Sequence, residues 1–286
     1  MKVSDIYKNG GRSLSFEIFP PKKDADLHNI DDTLDVLCEL KPDFISVTFG
    51  AGGSCNCNKT IELAHKIKEK YHVEPVVHLT CLHYSKEEID AFAKVLTEAG
   101  IENILALRGD VREDVPKKED FAYASDLVTY LKSKYDFCVL GACYPERHPE
   151  SCNMVDEIKH LKTKVNAGTD VLLSQLFFDN NVFYDFKERC RIADINVPVI
   201  PGIMPVVKAA QIKRMVSMCN ASFPLRFQKI VDRYEDNKEA LFDAGMAYAL
   251  SQIIDQLVSD TDGIHLYTMN NPCIARRICE GIKNIV

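Results

Sequence analysis

The segment SLSFEIFPPKK carries one carboxyl, Glu17, between Phe16 and Ile18 in a run with strand character from Ser13 to Phe19. A carboxylate is costly to bury among such side chains unless something neutralises or uses it. Apolar surroundings raise a carboxyl pKa and let the group hold a proton near neutral pH, as a general acid must. A second carboxyl, Asp110, follows Gly109 beside Arg108 and is expected to stay ionised, so the two carboxyls would divide acid and charge roles. Other polar residues fall where apolar runs end: Thr48 before FGAGGS, His78 and Thr80 in VVHLT, Tyr144 to His148 in YPERH, Gln175, and Tyr267 with Asn270 and Asn271. Each has a plain structural alternative. Arg108 and Asp110 could be a surface ion pair worth little, His78 a core histidine, and Glu17 half of a buried salt bridge. GAGG at Gly50–Gly53 lacks the GxxxxGK[ST] pattern of a phosphate loop and reads alone as a turn. Taken across six strands, the set describes a polar pocket.

The elements that must position these residues are short apolar runs alternating with longer amphipathic ones. Strands are expected at Leu14–Phe19, Phe44–Thr48, Val76–Leu79, Ile104–Leu107, Phe137–Ala142, Val171–Leu176, Val197–Ile200 and Ile264–Thr268. Helices are expected at Ile30–Leu40, Thr60–Tyr71, Lys86–Ala99, Ala124–Tyr135, Met154–Ala167 and Val182–Ala193. Ser85 with Glu88 forms a capping box, and glycines 100 and 168 close two helices. Strands start roughly 30 residues apart, except that the last interval is about twice as long and holds two extra helical patterns. Eight strands alternating with helices imply a parallel sheet closed into a (β/α)8 TIM barrel with extra helices near the C-terminus. The competing open doubly wound sheet is disfavoured, because FPPKKDADLHN after the first strand has no glycine-rich dinucleotide fingerprint. No linker divides the chain, so one domain over residues 1–286 is expected. Strand alternation then turns Leu14, Phe16 and Ile18 toward the helices and Ser13, Ser15 and Glu17 into the barrel. Pro20 and Pro21 end the strand, since neither can donate to a ladder. Glu17 thereby falls at the C-terminal mouth, where barrel chemistry collects.

The 286 residues are 46% apolar and 27% charged, the balance of a globular chain, with a formal charge of −7. That charge argues against a general nucleic-acid or anionic-membrane binder. With no signal-like apolar stretch at the start and no run long enough to span a bilayer, a cytoplasmic protein is expected. The eleven cysteines are dispersed without a CxxC pair; only Cys55 and Cys57 lie close together, so buried or incidental thiols are expected and no metal site.

At these same residues the sequence closely resembles the methylenetetrahydrofolate reductase family, in its bacterial-type catalytic domain. SFEIFPPK, FISVTFGAGGS, HLTC, ILALRGD, YASDLV, YPERHPE, LKTKVNAGTD, QLFFD and PGIMP run in the family's order over nearly the whole chain. The resemblance implies a (β/α)8 catalytic barrel, without the regulatory extension of eukaryotic members, that binds FAD noncovalently. It implies reduction of 5,10-methylenetetrahydrofolate to 5-methyltetrahydrofolate by ping-pong hydride transfer, with NADH or NADPH as donor. Glu17 matches the general acid that opens the folate ring to an iminium, and Asp110 the aspartate near flavin and pterin. Thr48, His78, Arg108, Gly109, Asp110, Tyr123, Ala124, Tyr144, His148, Glu157, His160 and Lys164 fall at flavin-contacting positions. Gln175 and Gln211 match substrate contacts. Asn271 stands where bacterial relatives carry an arginine, Met215 where they carry an aromatic, and Glu157 and His160 where they carry Asp and Asn. The family makes homo-oligomers, and some anaerobic members take electrons through a partner protein. The reading of a different class is a folate-binding barrel without redox activity, such as a methyl-transfer scaffold or partner subunit; the intact Glu17, Asp110 and Gln175 set favours the enzyme.

Overall fold

The structure, a computed structural model, describes residues 1–21, 27–49, 57–111 and 115–285. The Gly50–Gly53 stretch and Cys55 lie outside the described residues, and the side chain of Cys57 is not described either.

Nine parallel strand segments form the barrel: β1 (Ser13–Ile18), β2 (Phe44–Val47), β3 (Glu74–Thr80), β4 (Asn103–Leu107), β5 (Cys138–Cys143), β6 (Val171–Ser174), β7 (Val199–Ile200), β8 (Gly202–Ile203) and β9 (Gly263–Tyr267). Their order around the sheet is β7-β6-β5-β4-β3-β2-β1-β9-β8. The two ends of that order, β7 and β8, are consecutive in the chain and separated only by Pro201. The seventh barrel strand is therefore one strand broken at a proline, its first half paired with β6 and its second with β9. Val197 and Pro198, expected in that strand, precede it, and the strand runs on to Ile203 instead.

Helices α1 (Leu27–Glu39), α2 (Cys57–Tyr71), α3 (Lys86–Glu98), α4 (Ala124–Lys134), α5 (Met154–Asn166) and α6 (Asn180–Ile192) follow the first six strands, and α10 (Pro272–Ile282) follows β9. The Ser85–Glu88 capping box is formed: Ser85 Oγ accepts from the Glu88 amide and Glu88 Oε2 from the Ser85 amide. Between β8 and β9 lie α7 (Ala209–Cys219), α8 (Leu225–Tyr234) and α9 (Lys238–Val258), the extra helices.

Strand alternation builds two separate cores. Phe16, Ile18, Ile45, Val47, Val77, Leu79, Ile104 and Leu266 face the helices and join the main apolar core. The opposite faces supply Phe44, Val76, Leu105, Cys138, Leu140, Val171, Leu173 and Ile200, a smaller core inside the barrel. A 3-10 helix, Val3–Asn9, plugs the N-terminal end of that inner core with Val3, Ile6 and Tyr7. It is pinned there by Asn103, whose Oδ1 accepts from the Val3 amide, and by a Tyr7 hydroxyl hydrogen bond to Ser13 Oγ (2.7 Å). A third core joins α7, α8 and α9 to Leu176, Phe178, Met204 and Val206. With one end of the barrel plugged, the C-terminal mouth is left to carry polar groups.

Candidate functional site

Glu17 is the next inward residue after Ser15 on β1, in register with Ser46 of β2 and Tyr267 of β9. Its Oε2 lies 3.6 Å from Nε2 of His78, which points inward from β3. The Glu17 side chain keeps 21% of its surface exposed and that of His78 8%, so the pair sits in the throat of the mouth. Desolvation pushes the Glu17 carboxyl up to about 8 and the His78 imidazole down to about 3. Burial thus favours a protonated acid facing a neutral imidazole over an ion pair. Among the described residues His78 is the basic group within 4 Å of Glu17, so a buried salt bridge there would need a protonated His78, which burial disfavours.

One level deeper lies His265 of β9, which strand alternation could have marked, since it shares the inward parity of Tyr267. Its Nδ1 is hydrogen bonded to Ser15 Oγ (2.8 Å) and its Nε2 lies 3.5 Å from Ser46 Oγ. The ring stacks on Phe44 and meets Tyr267 edge-on. Burial, with His78 close by, pushes it to about 3, so it too is neutral. Tyr267 donates to the Ser174 carbonyl (2.7 Å) and lies across Gly202, where a Cβ would approach its ring to 2.7 Å and the Ser174 oxygen to 2.3 Å. Tyr267 forms a wall of the throat next to Glu17.

Several of the remaining expected residues follow the C-terminal ends of the strands. Thr48 follows β2, and its buried hydroxyl has no hydrogen-bond partner among the described residues; the same holds for His78 Nε2. Gly109 turns with φ 86°, and a Cβ there would meet Thr80 Cβ at 3.0 Å. Asp110 is exposed at the rim, its carbonyl held by His83 Nε2 (3.0 Å). Arg108 does not pair with Asp110. Its guanidinium grips Glu150 of the YPERHPE motif with both terminal nitrogens (2.5 and 2.7 Å), a partner the sequence reading did not single out. Tyr144 and His148, from that motif, pack edge-to-face (4.8 Å). Glu157 is buried and organises the same loop, accepting from the His148 amide (3.1 Å) and Ser151 Oγ (2.6 Å). Lys164 reaches from α5 to donate to the Ala142 carbonyl (2.7 Å), its pKa lowered by burial.

Tyr123 and Ala124 open α4, with Tyr123 exposed and Ala124 buried; His160 is exposed on α5. Gln175 accepts from the Leu176 amide (2.9 Å) just past β6. Gln211 on α7 reaches toward Met204 Sδ (3.9 Å), and Met215 packs into the third core. Asn271 caps α10 by accepting from the Cys273 amide (3.1 Å). Among the described residues the cysteines are free thiols.

A closed parallel barrel whose C-terminal mouth holds a desolvated carboxyl, neutral histidines and a rim of charges is a (β/α)8 barrel with a polar site in the family of small-molecule pockets. The family model described as Methylenetetrahydrofolate reductase matches residues 2–283. The chain is 36% identical over 272 residues to 5,10-methylenetetrahydrofolate reductase of Escherichia coli (strain K12), covering 94% of this chain and 90% of that protein. It is 34% identical over 284 residues to Methylenetetrahydrofolate reductase (NADH) 1 of Arabidopsis thaliana, covering 94% of this chain and 48% of that protein. The chain belongs to the methylenetetrahydrofolate reductase family, and it spans about half the length of the plant relatives it matches. In fold it is similar to a solved structure described as an uncharacterized protein from Clostridium thermocellum that binds two copies of 5-methyl-5,6,7,8-tetrahydrofolic acid. That match has a TM-score of 0.64 at 14% identity and covers 96% of this chain and 94% of the other. No described helix is long and apolar enough to cross a membrane.

Proposed function

We propose that the chain reduces 5,10-methylenetetrahydrofolate to 5-methyltetrahydrofolate with the aid of noncovalent FAD, and that Glu17 is the general acid. The observation that carries this reading is the Glu17 carboxyl itself, desolvated against a neutral His78 and pushed up to about 8. Such a group holds a transferable proton at neutral pH.

The residues present fit a flavin. Thr48 Oγ1 and His78 Nε2 are enclosed polar atoms without partners among the described residues, the situation a polar ligand would relieve. Arg108 at the rim and Lys164, held at the Ala142 carbonyl near the end of β5, offer cationic donors suited to phosphate and ribose oxygens. Gly109, Tyr123, Ala124, Tyr144, His148, Glu157 and His160 complete the set proposed to hold it. Bound there, FAD would relay a hydride from a nicotinamide nucleotide to the folate, the two substrates taking turns. Glu17 then gives its proton to a ring nitrogen of the folate imidazolidine, the C–N bond opens, and the methylene carbon remains as a cationic iminium ready to accept hydride. The carboxylate of Asp110 at the rim favours that cation over the neutral closed ring. Gln175 and Gln211 orient the substrates, with Asn271 beside them.

The test is Glu17→Gln, which keeps shape and removes the proton. Reoxidation of the reduced flavin by methylenetetrahydrofolate, followed anaerobically by stopped flow, should be abolished. Flavin binding and reduction by NADH or NADPH should persist. Equal loss of both half-reactions would assign Glu17 a structural role.

A further inference from the structure

The chain leaves β9 through Met269 and Asn270, both in the left-handed region (φ 54° and 55°). Glycine enters that region without a Cβ penalty, and neither residue is glycine. Asparagine tolerates the conformation and adds a side chain, which the structure uses. Asn270 Oδ1 accepts from the Phe19 amide (3.0 Å) and Asn270 Nδ2 donates to the Phe19 carbonyl (2.8 Å). This two-bond exchange is what a neighbouring strand would otherwise supply. Beside it, the fully buried Thr268 donates its hydroxyl to the Glu17 carbonyl (2.8 Å). Backbone register between β1 and β9 ends at Glu17 with Tyr267, and Pro20 and Pro21 have no amide to offer. Two side chains therefore continue the ladder on the β9 side, at Glu17 and Phe19.

We infer that Asn270, assisted by Thr268, is a positioning residue for the proton donor: it brackets the end of β1 so that the Glu17 carboxyl stays in the throat against His78. The inference rests on the reading of Glu17 as the acid. The proton transfer is unchanged by it; the bracket fixes where the acid stands and how dry it is. Loosening the segment admits water to the carboxyl and lowers the pH at which it ionises. A general acid must be protonated, so the high-pH limb of its reaction moves toward acid.

Two variants test this. Asn270→Gly keeps the left-handed backbone and removes the bracket, and Thr268→Val keeps side-chain volume and removes the donor. In the flavin-free chain, the Phe19 amide of Asn270→Gly should lose its protection from hydrogen exchange. In the FAD-loaded enzyme, stopped-flow reoxidation by methylenetetrahydrofolate should slow on the order of ten- to a hundredfold in Asn270→Gly, as displaced catalytic groups do. In both variants the fall in rate at high pH should begin at lower pH, while flavin reduction by a nicotinamide nucleotide holds. Retained Phe19 protection, or an unmoved pH limb whatever the rate, overturns the inference. Glu17→Gln measured in parallel separates the two claims. If that variant still turns over folate, the acid reading itself fails; if it is inactive while Asn270→Gly matches the wild type, only the bracket fails.

Discussion

The desolvation of Glu17 has a thermodynamic consequence that can be measured without cofactor or substrate. The folded chain holds this carboxyl at about 8 against an ordinary 4.5. Between those values the folded state keeps a proton that the unfolded chain releases, so stability must fall as pH rises across that window. At about 1.4 kcal/mol per pH unit the full span corresponds to roughly 5 kcal/mol. Water at the mouth reaches a fifth of the side chain and takes part of this away, so the measured loss should be smaller. Glu17→Gln does not titrate and escapes the effect. Thermal unfolding of the flavin-free wild type and of Glu17→Gln, run from pH 5 to pH 9, should give curves that diverge as pH rises. At about 2 °C per kcal/mol for a chain this long, the wild type should lose several degrees against the variant by pH 9. The variant that destroys the acid would then be the more resistant protein at alkaline pH. Parallel curves would refute the reasoning, because they would mean that Glu17 ionises alike in both states and is not held dry.

Two further predictions concern the walls of the site. Glu157→Ala leaves the His148 amide and the Ser151 hydroxyl without their buried acceptor, which should cost about 1–3 kcal/mol; limited proteolysis should then cut the segment 144–152 faster than in the wild type. Gly202→Ala drives a methyl into the Ser174 carbonyl and the Tyr267 ring, and should destabilise by about 1–3 kcal/mol or prevent folding, read by thermal melting and soluble yield.

Much of this was legible in the sequence because strand periodicity is strict. Placing Glu17 inside the barrel needed only the parity of Ser13, Ser15 and Glu17 against Leu14, Phe16 and Ile18, and the structure keeps that parity. The capping box at Ser85 was equally local. What escaped depended on long-range pairing. His265 could have been marked as inward-facing by strand parity, but its hydrogen bond to Ser15, 250 positions away, could not be read. Glu150 lies in a motif plainly visible, yet nothing in the local pattern shows that Arg108 reaches it. The break at Pro201 was hidden because the apolar run VPVIPGI gives no sign that its two halves pair with different neighbours. The inward-facing plug at Val3–Asn9 was missed for the same reason: its partners are Asn103 and Ser13, not its own turn.

Glu17, His78, His265 and Tyr267, the titratable groups described in the throat, are all driven toward their neutral forms by burial. A barrel interior is a poor place for charge, and neutralisation by proton uptake or release costs less than keeping an unpaired ion there. Among the described residues, formal charge at the mouth stands at the rim, as in the exposed Asp110 and the Arg108–Glu150 pair. This separates two kinds of perturbation. Changing a rim charge alters the field that an arriving anionic or cationic ligand meets, an effect that salt screens. Changing a throat residue alters whether a proton is present and where it stands, an effect that added salt leaves nearly untouched. Ionic strength is thus a second axis on which the two layers can be told apart. Folate-dependent rates of throat variants should track pH at fixed salt, whereas ligand affinity in rim variants should track salt at fixed pH.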